Sequence, residues 1–496
     1  TCGRCHARAA RLSDDEPHGR PPLDTHRLAL IDPGLYWDDG QMRDEVYNWG
    51  PFVQSKMYAK GVTCSDCHDP HSLRLRAAGN AVCAQCHRTE KYGAEAHTHH
   101  AAGSAGSTCA ACHMPTTTYM LIDPRHDHSL RIPRPDLSAK LGTPNACNNC
   151  HTNNTPQWAA TAVAQWSGKT PVGYQRFAEA FAAGSSGALE ARRGLLAMLD
   201  DRDQPPIVRA SALSRLGPWL TANTLPKATN ALNDADPIVR LAAVEALSGA
   251  PVETRQQYLP RMLQDPVRAV RIEAAHALAG PADAGLREGD RAAFNRAIDE
   301  FIAVQTYASD RPEGRTSLAN LHALRGDAEG AIAQYRKAIE LDPTFIQAYA
   351  NLADLYRARG AESESEAALR AGLARNPKAA ALQHALGLSL TRQKRTVEAT
   401  KAFAEAVRLD PANPRYAYVY AVAQNDSGRK KEALQTLDAA RKRSPYDRDV
   451  LTALAHYTAA AGDRQTALQY VKQLQELDPE NGDYARLAAQ IRGPGP

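Results

Sequence analysis

Ala- and Leu-rich helical segments follow one another through the second part of the chain at a fixed spacing. The segment D-P-I-V-R-L-A-A-V-E-A-L at 236–247 shows the unit best. Three Val-Arg pairs, at 208–209, 239–240 and 270–271, recur every 31 residues, each shortly after a proline. A unit of this length that repeats along the chain predicts a stack of helices.

A second period, of 34 residues, follows the first. Five positions keep this step: Pro343, Pro377, Pro411, Pro445 and Pro479. Glycine keeps the same step in four of the five repeats, and lysine stands at the matching position of the third: Gly326, Gly360, Lys394, Gly428 and Gly462. Small residues, which let two helices approach closely, also recur at the 34-residue step: Ala319, Ala353, Gly387, Ala421 and Ala455. The prolines are expected to end the second helix of each pair.

The 31-residue pattern resembles HEAT-type repeats, and the 34-residue helix–turn–helix pattern is that of the tetratricopeptide repeat. Five such units exceed the three or so needed for a stable stack. We assign residues 189–285 to HEAT-like repeats and residues 286–496 to a tetratricopeptide repeat domain. The fold class is therefore mainly α, with an α-solenoid in this part. Its curved surface is suited to binding a protein segment, although a rigid spacer or a dimerisation arm remains an alternative.

Residues 1–151 have a different pattern. They are rich in Gly, Pro, Asn and Thr, show little sustained periodicity and contain 13 of the 17 histidines. We expect short helices and loops there. Residues 152–188 form a helical linker, with Trp158 and Trp166 on one helix, and Gly184-Ser185-Ser186-Gly187 is expected to be a short linker.

Five C-x-x-C-H motifs account for all ten cysteines. This motif is the attachment signature of c-type haem, in which the two thiols bond to the vinyl groups and the histidine binds the iron. The haem thioether residues are Cys2, Cys5, Cys64, Cys67, Cys83, Cys86, Cys109, Cys112, Cys147 and Cys150. The proximal iron ligands are His6, His68, His87, His113 and His151. Residues 1–151 are thus predicted to be a loop-rich pentahaem c-type cytochrome domain with five covalently attached haems c.

Two other chemistries use paired cysteines. A zinc site would take two C-x-x-C pairs and would need no histidine directly after each pair. A thioredoxin-like dithiol would be a single motif in a βαβ context. Five motifs, each followed at once by histidine, favour haem over both.

Charge and hydropathy limit the location and the partners. The net charge is +4, and the acidic and basic residues of 1–151 are balanced, so no nucleic-acid footprint is present. No run of about 18 apolar residues predicts a membrane span. Because haem c is attached outside the bacterial cytoplasm, we expect a periplasmic or extracellular protein whose signal peptide has been removed or is missing from this chain.

The second ligand of each iron decides whether a haem can bind substrate. Eight histidines of residues 1–151 lie outside the motifs, enough to close five irons: His18, His26, His71, His97, His99, His100, His126 and His128. The short gap between Cys67 and Cys83 also makes the second and third haems neighbours.

Several segments resemble the cytochrome c nitrite reductase and hydroxylamine oxidoreductase superfamily: G-V-T-C-S-D-C-H-D-P-H-S (61–72), S-T-C-A-A-C-H-M-P (107–115), D-H-S-L-R-I-P (127–133) and T-P-N-A-C-N-N-C-H (143–151). The whole chain resembles a subgroup with C-terminal tetratricopeptide repeats. Relatives of this kind usually carry about three further motifs upstream, so the chain looks like the downstream part of an octahaem-type protein.

The resemblance implies roles for some of the spare histidines. His71 and His128 resemble distal ligands, and His97 and His100 are favoured over His99 in the H-T-H-H segment. His126 stands where relatives often have another residue. His18 and His26 compete for the remaining iron, or neither serves it.

The family's catalytic features are only partly present. Many nitrite reductases have lysine as the proximal ligand of the active haem, and no such motif occurs here. If the haems align in order, the first motif takes the active position with histidine, as in hydroxylamine oxidoreductases. Those enzymes also cross-link a tyrosine to the haem, for which four residues are available: Tyr36, Tyr47, Tyr58 and Tyr119.

Three functional hypotheses follow. The favoured one is an extracytoplasmic electron carrier with mostly bis-histidine haems, whose repeats contact a redox protein or a neighbouring subunit. The second is an oxidoreductase of nitrite- or hydroxylamine-like substrates with an open haem, whose catalytic residues are unknown. The third is a subunit of a homo-oligomer or haem-bearing filament, since contacts between unlike surfaces can propagate without closure.

Overall fold

The structure is a computed structural model that describes residues 2–14, 19–72 and 74–493. It is mainly helical, as the sequence predicts, and it divides into two compact units. The first contains residues Thr1–Ser185, Glu190–Leu278 and Leu286–Ala297, and the second contains Ser186–Leu189, Ala279–Gly285 and Ile298–Pro496. No helix of the described residues is both long enough and apolar enough to cross a bilayer.

Short elements make up the motif-bearing part of the first unit. They are β1 Ala9–Arg11, β2 His26–Leu28, α1 Trp49–Phe52, α2 Lys56–Ala59, α3 Cys64–Cys67, α4 Ala81–Ala84, α5 Thr89–Tyr92, α6 Glu95–Thr98, α7 Cys109–His113, β3 Thr116–Tyr119, β4 Asp123–His126 and α8 Pro135–Leu141. Strands β1 and β2 pair antiparallel, as do β3 and β4. The sequence analysis predicted the short helices and missed both hairpins.

Burial is very uneven within this part. No described residue between 56 and 114 is buried. The residues before and after it do contribute to a core, including Ile31, Met42 and Val46. The stretch from 56 to 114, which carries three of the five motifs, therefore has no apolar protein core of its own.

Longer helices complete the first unit. They are α9 Pro156–Ser167, α10 Ala178–Ser186, α11 Ala191–Asp200, α12 Pro206–Leu216, α13 Leu225–Ala231, α14 Pro237–Ser248, α15 Val252–Tyr258 and α16 Arg268–Leu278. The tryptophans 158 and 166 lie on α9, as expected. The expected short linker at 184–187 is mostly helical, because residues 184–186 form the last turn of α10 and Gly187, with φ +70°, leaves the helix.

The N-terminal strands of the motif region pack on the HEAT-like helices. The Arg27 guanidinium of β2 pairs with Glu245 of α14 at 2.6 Å and with Glu273 of α16 at 2.7 Å. Ser211 of α12 accepts a hydrogen bond from the Ile31 amide at 3.0 Å. These polar contacts, together with the buried Ile31 side chain, anchor the motif region to a rigid helical support.

The second unit is built from helical pairs. Helix α17 Glu288–Tyr307 begins in the first unit, which includes residues up to Ala297. The helices after it are α18 Pro312–Leu324, α19 Ala328–Leu341, α20 Ile346–Ala358, α21 Glu362–Arg375, α22 Ala380–Arg392, α23 Thr396–Leu409, α24 Pro414–Asp426, α25 Lys430–Arg443, α26 Arg448–Ala460, α27 Arg464–Leu477 and α28 Gly482–Arg492. The five prolines at the 34-residue step each follow the end of a helix, as predicted.

The small residues of the repeats stand where helices cross. Ala319 and Ala455 are fully buried, and a Cβ added at Gly387 would lie 2.4 Å from the Phe403 ring. The turn glycines have positive φ, and Lys394 adopts φ +64° at the matching position. The pattern read from the sequence thus corresponds to real packing constraints in each repeat.

Candidate haem-binding site

Each C-x-x-C-H motif forms a tight turn that gathers its three functional side chains. The histidine amide donates a hydrogen bond to the carbonyl of the first cysteine, at 2.9 Å from His6 to Cys2 and from His68 to Cys64. The same bond is 3.0 Å long in the third motif and 2.9 Å in the fifth. In the second motif a capping box between Thr63 and Asp66 also fixes the start of the helix.

The first motif has a further steric requirement. Gly3, between its two cysteines, lies against Trp49, and a Cβ added there would lie 2.4 Å from the indole nitrogen. The Trp49 amide donates to the His6 carbonyl at 2.8 Å. Segment 46–49 therefore packs closely on this motif, and glycine leaves the room for it.

All ten cysteines lie among the described residues and carry free thiols, partly or fully exposed. Burial and the neighbouring Cys109 thiol raise the pKa of Cys83 to about 11. Burial and the Cys2 thiol likewise raise the pKa of Cys64. Such effects require that the thiols of different motifs approach one another.

The approaches link every motif to the next one along the chain. The first motif approaches the second, and the third approaches the fourth. The second also approaches the third, because Cys86 contributes to the raised pKa of Cys67, after the larger effects of burial and Asp66. The fourth meets the fifth, because Cys150 contributes to the raised pKa of Cys112 after burial and Cys109. The five attachment sites therefore follow one another in space in sequence order.

Three motif histidines have a second histidine opposite them. The ring centroids are 6.4 Å apart for His68 and His128, and 6.2 Å apart for His97 and His113. For a third pair, His100 and His151, the separation is 6.1 Å. The angles between the ring planes are 30°, 9° and 38°, respectively.

These separations can be compared with the centroid separation of two imidazole rings bound to opposite sides of one iron atom. An imidazole nitrogen binds a first-row metal at about 2.0 Å, so two imidazoles on opposite sides of one ion have centroids about 6.3 Å apart. Rings in direct contact are closer, as in the stacked pair of His99 and Trp166 at 4.0 Å. The three pairs thus fit the bis-histidine ligation of a haem iron, and the core-free stretch 56–114 fits the packing of chain around a large apolar cofactor.

Hydrogen bonds at Nδ1 orient several of these rings. The Nδ1 atom lies 2.7 Å from the Arg131 carbonyl in His113, 2.8 Å from the His126 carbonyl in His128, and 2.6 Å from the Thr98 carbonyl in His100. A carbonyl accepts only from a protonated Nδ1, which leaves Nε2 with the lone pair that a metal needs. The contacts therefore select the ligating tautomer.

The environment also favours the neutral form of two of these imidazoles. Burial lowers the pKa of His128, and burial together with His113 lowers the pKa of His97. A neutral ring is the form that binds metal. Gly106 makes room for the His100 ring, since a Cβ there would lie 2.3 Å from it.

The three histidines of the H-T-H-H segment are separated by their geometry. His97 and His100 lie opposite motif histidines, whereas His99 has left-handed φ (+54°) and stacks on Trp166. That arrangement fits the preference for His97 and His100 over His99, and ligation itself stays a prediction.

Of the other candidate ligands, the structure describes His26 and His71 and does not bring His71 to a motif histidine. Among the described residues, no histidine ring lies opposite His6 or His87, and His71 pairs with no other ring. His26 is buried in β2 with Nδ1 2.8 Å from the Thr25 hydroxyl. His18 lies outside the described residues.

The four tyrosines differ sharply in environment. Burial raises the pKa of Tyr36, and burial together with Asp127 raises the pKa of Tyr119 to about 12. Tyr47 has left-handed φ (+58°) and lies under the Arg125 guanidinium, whereas Tyr58 is exposed. No haem contact follows from these positions.

Two residues have roles in the site that the sequence analysis did not assign. His126 directs Nδ1 to the Met114 carbonyl at 2.8 Å, as the facing histidines do. The Tyr92 ring lies between the rings of His87 and His97. The sequence signal that could have singled out Tyr92 is its place between the third motif and the H-T-H-H segment.

No group of three or more His, Cys, Asp or Glu side chains among the described residues is arranged to hold a metal ion.

Comparison with known families gives matches in both parts of the chain. Residues 56–92 match a doubled CXXCH motif, which includes the second and third haem-attachment motifs. Residues 192–279 match HEAT repeats. Three tetratricopeptide repeat models match residues 319–360, 350–414 and 390–457. None of these matches points to nitrite or hydroxylamine reductases in particular.

Several solved structures are similar to part of the chain, and no curated protein matches it. One, "Crystal structure of MamA", is 18% identical, covers 34% of this chain and 98% of its own, and has a TM-score of 0.30. A second, "Crystal structure of YrrB: a TPR protein with an unusual peptide-binding site", is 21% identical over 39% of this chain and 97% of its own, also at 0.30. A third, from Pseudomonas aeruginosa and named pilF, is 17% identical over 47% of this chain and 99% of its own, at 0.33. The chain thus combines a doubled CXXCH motif, typical of multihaem c-type cytochromes, with HEAT and tetratricopeptide repeats of the kind that mediate contacts between proteins.

Proposed function

We propose that the chain is an electron-transfer cytochrome that acts outside the cytoplasm, carries five haems c and uses its repeats to contact a redox protein or a neighbouring subunit. The observation that carries the proposal is the set of three facing imidazole pairs at iron-spanning separation, each containing one motif histidine. Covalently bound haem supplies the one-electron chemistry. The location follows from the site of haem c attachment in bacteria.

The order of the attachment sites supports a relay. Because the thiols of successive motifs approach one another, the vinyl edges of successive haems would lie close together. Electron transfer between cofactors needs such short separations and little reorganisation. Bis-histidine ligation on both faces satisfies the second requirement, since the iron keeps the same ligands in both oxidation states.

The repeat region supplies a surface in this proposal. Stacked helical pairs form an extended concave face, which suits the docking of another polypeptide. The same face in a head-to-tail arrangement would extend into a filament. Gel filtration and negative-stain imaging of the haem-loaded protein distinguish a monomer that binds a partner from a chain that polymerises.

A second function is favoured by a specific observation. His6 and His87 have no histidine opposite them among the described residues, so one of these haems can have an open face. An open haem would bind nitrite or hydroxylamine and reduce or oxidise it. The family resemblance of segments 61–72 and 107–151 is consistent with that alternative.

Low-temperature EPR of the oxidised protein, with and without nitrite or hydroxylamine, tests both functions. The electron-transfer proposal expects low-spin ferric haems that neither ligand changes. A high-spin signal that shifts on addition of ligand contradicts a purely electron-transferring role and identifies an open haem.

Substitutions assign the signals. His97→Met, His100→Met and His128→Met should each alter the low-spin signal of one haem, and the matched change His99→Met should alter none. If all four variants keep the wild-type spectrum, the facing histidines are not iron ligands.

A further inference from the structure

The third and fourth attachment motifs are joined by the side chain of Asn80. This residue precedes α4, which carries Cys83, and its carbonyl accepts the Cys83 amide at 3.1 Å. Its side chain reaches the fourth motif instead. Nδ2 donates to the Ser107 carbonyl at 3.0 Å, and Oδ1 accepts from the Cys109 amide at 2.9 Å. Both polar ends of one amide thus hold the entry to α7 against the start of α4.

A second contact joins the iron ligands of the same two motifs. The Tyr92 ring lies edge-on to His87, with centroids 5.6 Å apart and planes at 86°. It lies edge-on to His97 as well, at 5.3 Å and 89°. His97 in turn faces His113 with nearly parallel planes. One aromatic ring therefore touches the proximal histidine of the third motif and the histidine opposite that of the fourth.

Edge-to-face contacts of this kind favour particular ring orientations. An imidazole bound to iron can rotate about the Fe–N bond unless its surroundings restrain it, and Tyr92 restrains two such rings. The Asn80 hydrogen bonds fix the peptide that carries the thioether cysteines. Together the two residues would define the spacing of the two cofactors and the orientation of the histidines that hold them.

We propose that Asn80 and Tyr92 are positioning residues that hold the third and fourth haems against each other as a fixed pair. This inference rests on the proposed haem function. Neither residue would bind iron or take part in a chemical step. Their effect is on the geometry between two redox centres, where a small displacement slows electron transfer.

The experiment uses the full haem-loaded chain and four variants. Asn80→Ala removes both hydrogen bonds across the junction, and Tyr92→Leu removes the ring. Tyr92→Phe keeps the ring and is the conservative control. Glu90→Ala is the matched surface control, because Glu90 is exposed on α5 and lies outside the attachment motifs. Asn80 and Tyr92 are exposed, and total haem is measured as the pyridine haemochrome to show that all sites are loaded.

Two spectroscopic readouts report the geometry. The g-values of a low-spin ferric haem depend on the angle between its axial imidazole planes, and Soret circular dichroism depends on the spacing of neighbouring haems. We expect Tyr92→Leu to shift the g-values of the haem whose signal His97→Met removes. We expect Asn80→Ala to weaken the Soret couplet, and both controls to keep the wild-type spectra.

The outcomes separate this inference from the function on which it rests. If His97→Met changes the EPR spectrum but Tyr92→Leu and Asn80→Ala leave both spectra unchanged, the positioning role is wrong and the haem function stands. If Tyr92→Phe disturbs the g-values as much as Tyr92→Leu, the ring contact is not the cause. If His97→Met changes nothing, the proposed ligation fails first.

Discussion

The stretch 56–114 and the tetratricopeptide repeats are two regions of one chain that are organised by different means. The repeats bury complementary side chains in every unit, for example Leu382, Leu386 and Phe403 in one continuous cluster. The stretch 56–114 has no buried described residue, although it contains three of the five haem-attachment motifs. Burial of apolar surface is the main driving force of folding, so the stretch lacks the contribution that stabilises the repeats.

The comparison shows how cysteine chemistry can take the place of a core. Each helix of the stretch is at most five residues long, too short to be stable by itself. In the proposed function, a covalently attached porphyrin would offer a large flat apolar surface at each motif, and its iron would tie two distant histidines together. The repeats need no such help, because each helical pair packs on its neighbours.

The strongest test of this contrast is the chain made without haem attachment. We expect the stretch 56–114 to lose its fold entirely, because no protein core holds it, while the repeats of the same molecule stay folded. Limited proteolysis with mass spectrometry of the fragments checks this, and the haem-loaded chain is the control. Equal protection of both regions in the haem-free chain would show that the stretch folds by itself.

The opposite test truncates a buried side chain in the core of the repeats. Phe403 is 2% exposed and packs within the cluster around Leu382. Phe403→Ala should destabilise the repeat region by about 3–5 kcal/mol, from lost burial and the remaining cavity. Chemical denaturation followed by far-UV circular dichroism measures the change.

The haem absorption and EPR spectra serve as the internal control for Phe403→Ala. They should be unchanged under native conditions. A spectral change at constant haem content would mean that the repeats determine the haem geometry, and would break the comparison. The change Val397→Ala, at an exposed residue near the start of α23, should cost far less.

The sequence is more informative about one region than about the other. Periodic prolines, glycines and small residues predicted the repeat helices, because each repeat contacts mainly its sequence neighbours. The five motifs were equally clear, since the chemistry of attachment is local to five residues. Both conclusions depend on short-range spacing.

The pairing of histidines could not be obtained in this way. His128 lies opposite His68 although a whole further pair of motifs separates them in sequence, and only the return of the chain through β3 and β4 brings them together. The hairpin itself has an unusual turn, with Met120 and Leu121 at positive φ where glycine or asparagine is expected. Neither the hairpin nor the pairing has a signature in the local pattern.

The support of the motif region by the HEAT-like helices was also unforeseen. Arg27 stands between two carboxylates, and this makes the contact sensitive to pH. Burial raises the pKa of Glu245 to about 7, with a contribution from Glu273. Burial also acts against the charge of Glu273, but hydrogen bonds and charges of His276 and Arg27 outweigh it and lower the pKa to about 2.

The raised pKa of Glu245 gives a prediction of intermediate size. A carboxyl group with a folded-state pKa above its unfolded value stabilises the fold below the unfolded pKa, near 4.5, and that stabilisation is lost as the pH rises through about 7. With about 1.4 kcal/mol per pKa unit, the loss is at most about 3 kcal/mol.

Glu245→Gln should therefore flatten the decline in stability between pH 5 and pH 8. Denaturant unfolding of the first unit, followed through the haem spectrum at several pH values, measures it. Glu253→Gln on α15 is the control, because that side chain is exposed. An unchanged pH profile in Glu245→Gln would remove Arg27 and its partners as the cause.

The smallest expected effect concerns the one repeat that departs from the turn pattern. Lys394 has φ +64° where the other repeats have glycine, and a residue with a Cβ pays about 1 kcal/mol or more for that conformation. Glycine avoids this strain but loses more conformational entropy on folding. Lys394→Gly should therefore raise the free energy of unfolding by only about 0.5–1 kcal/mol. The reverse change, Gly360→Lys, should lower the free energy of unfolding by a similar amount. Thermal unfolding of the full haem-loaded chain measures both variants. If both variants unfold at the wild-type temperature, the turn does not limit the stability of the stack, and the regular spacing of these glycines reflects something other than backbone strain.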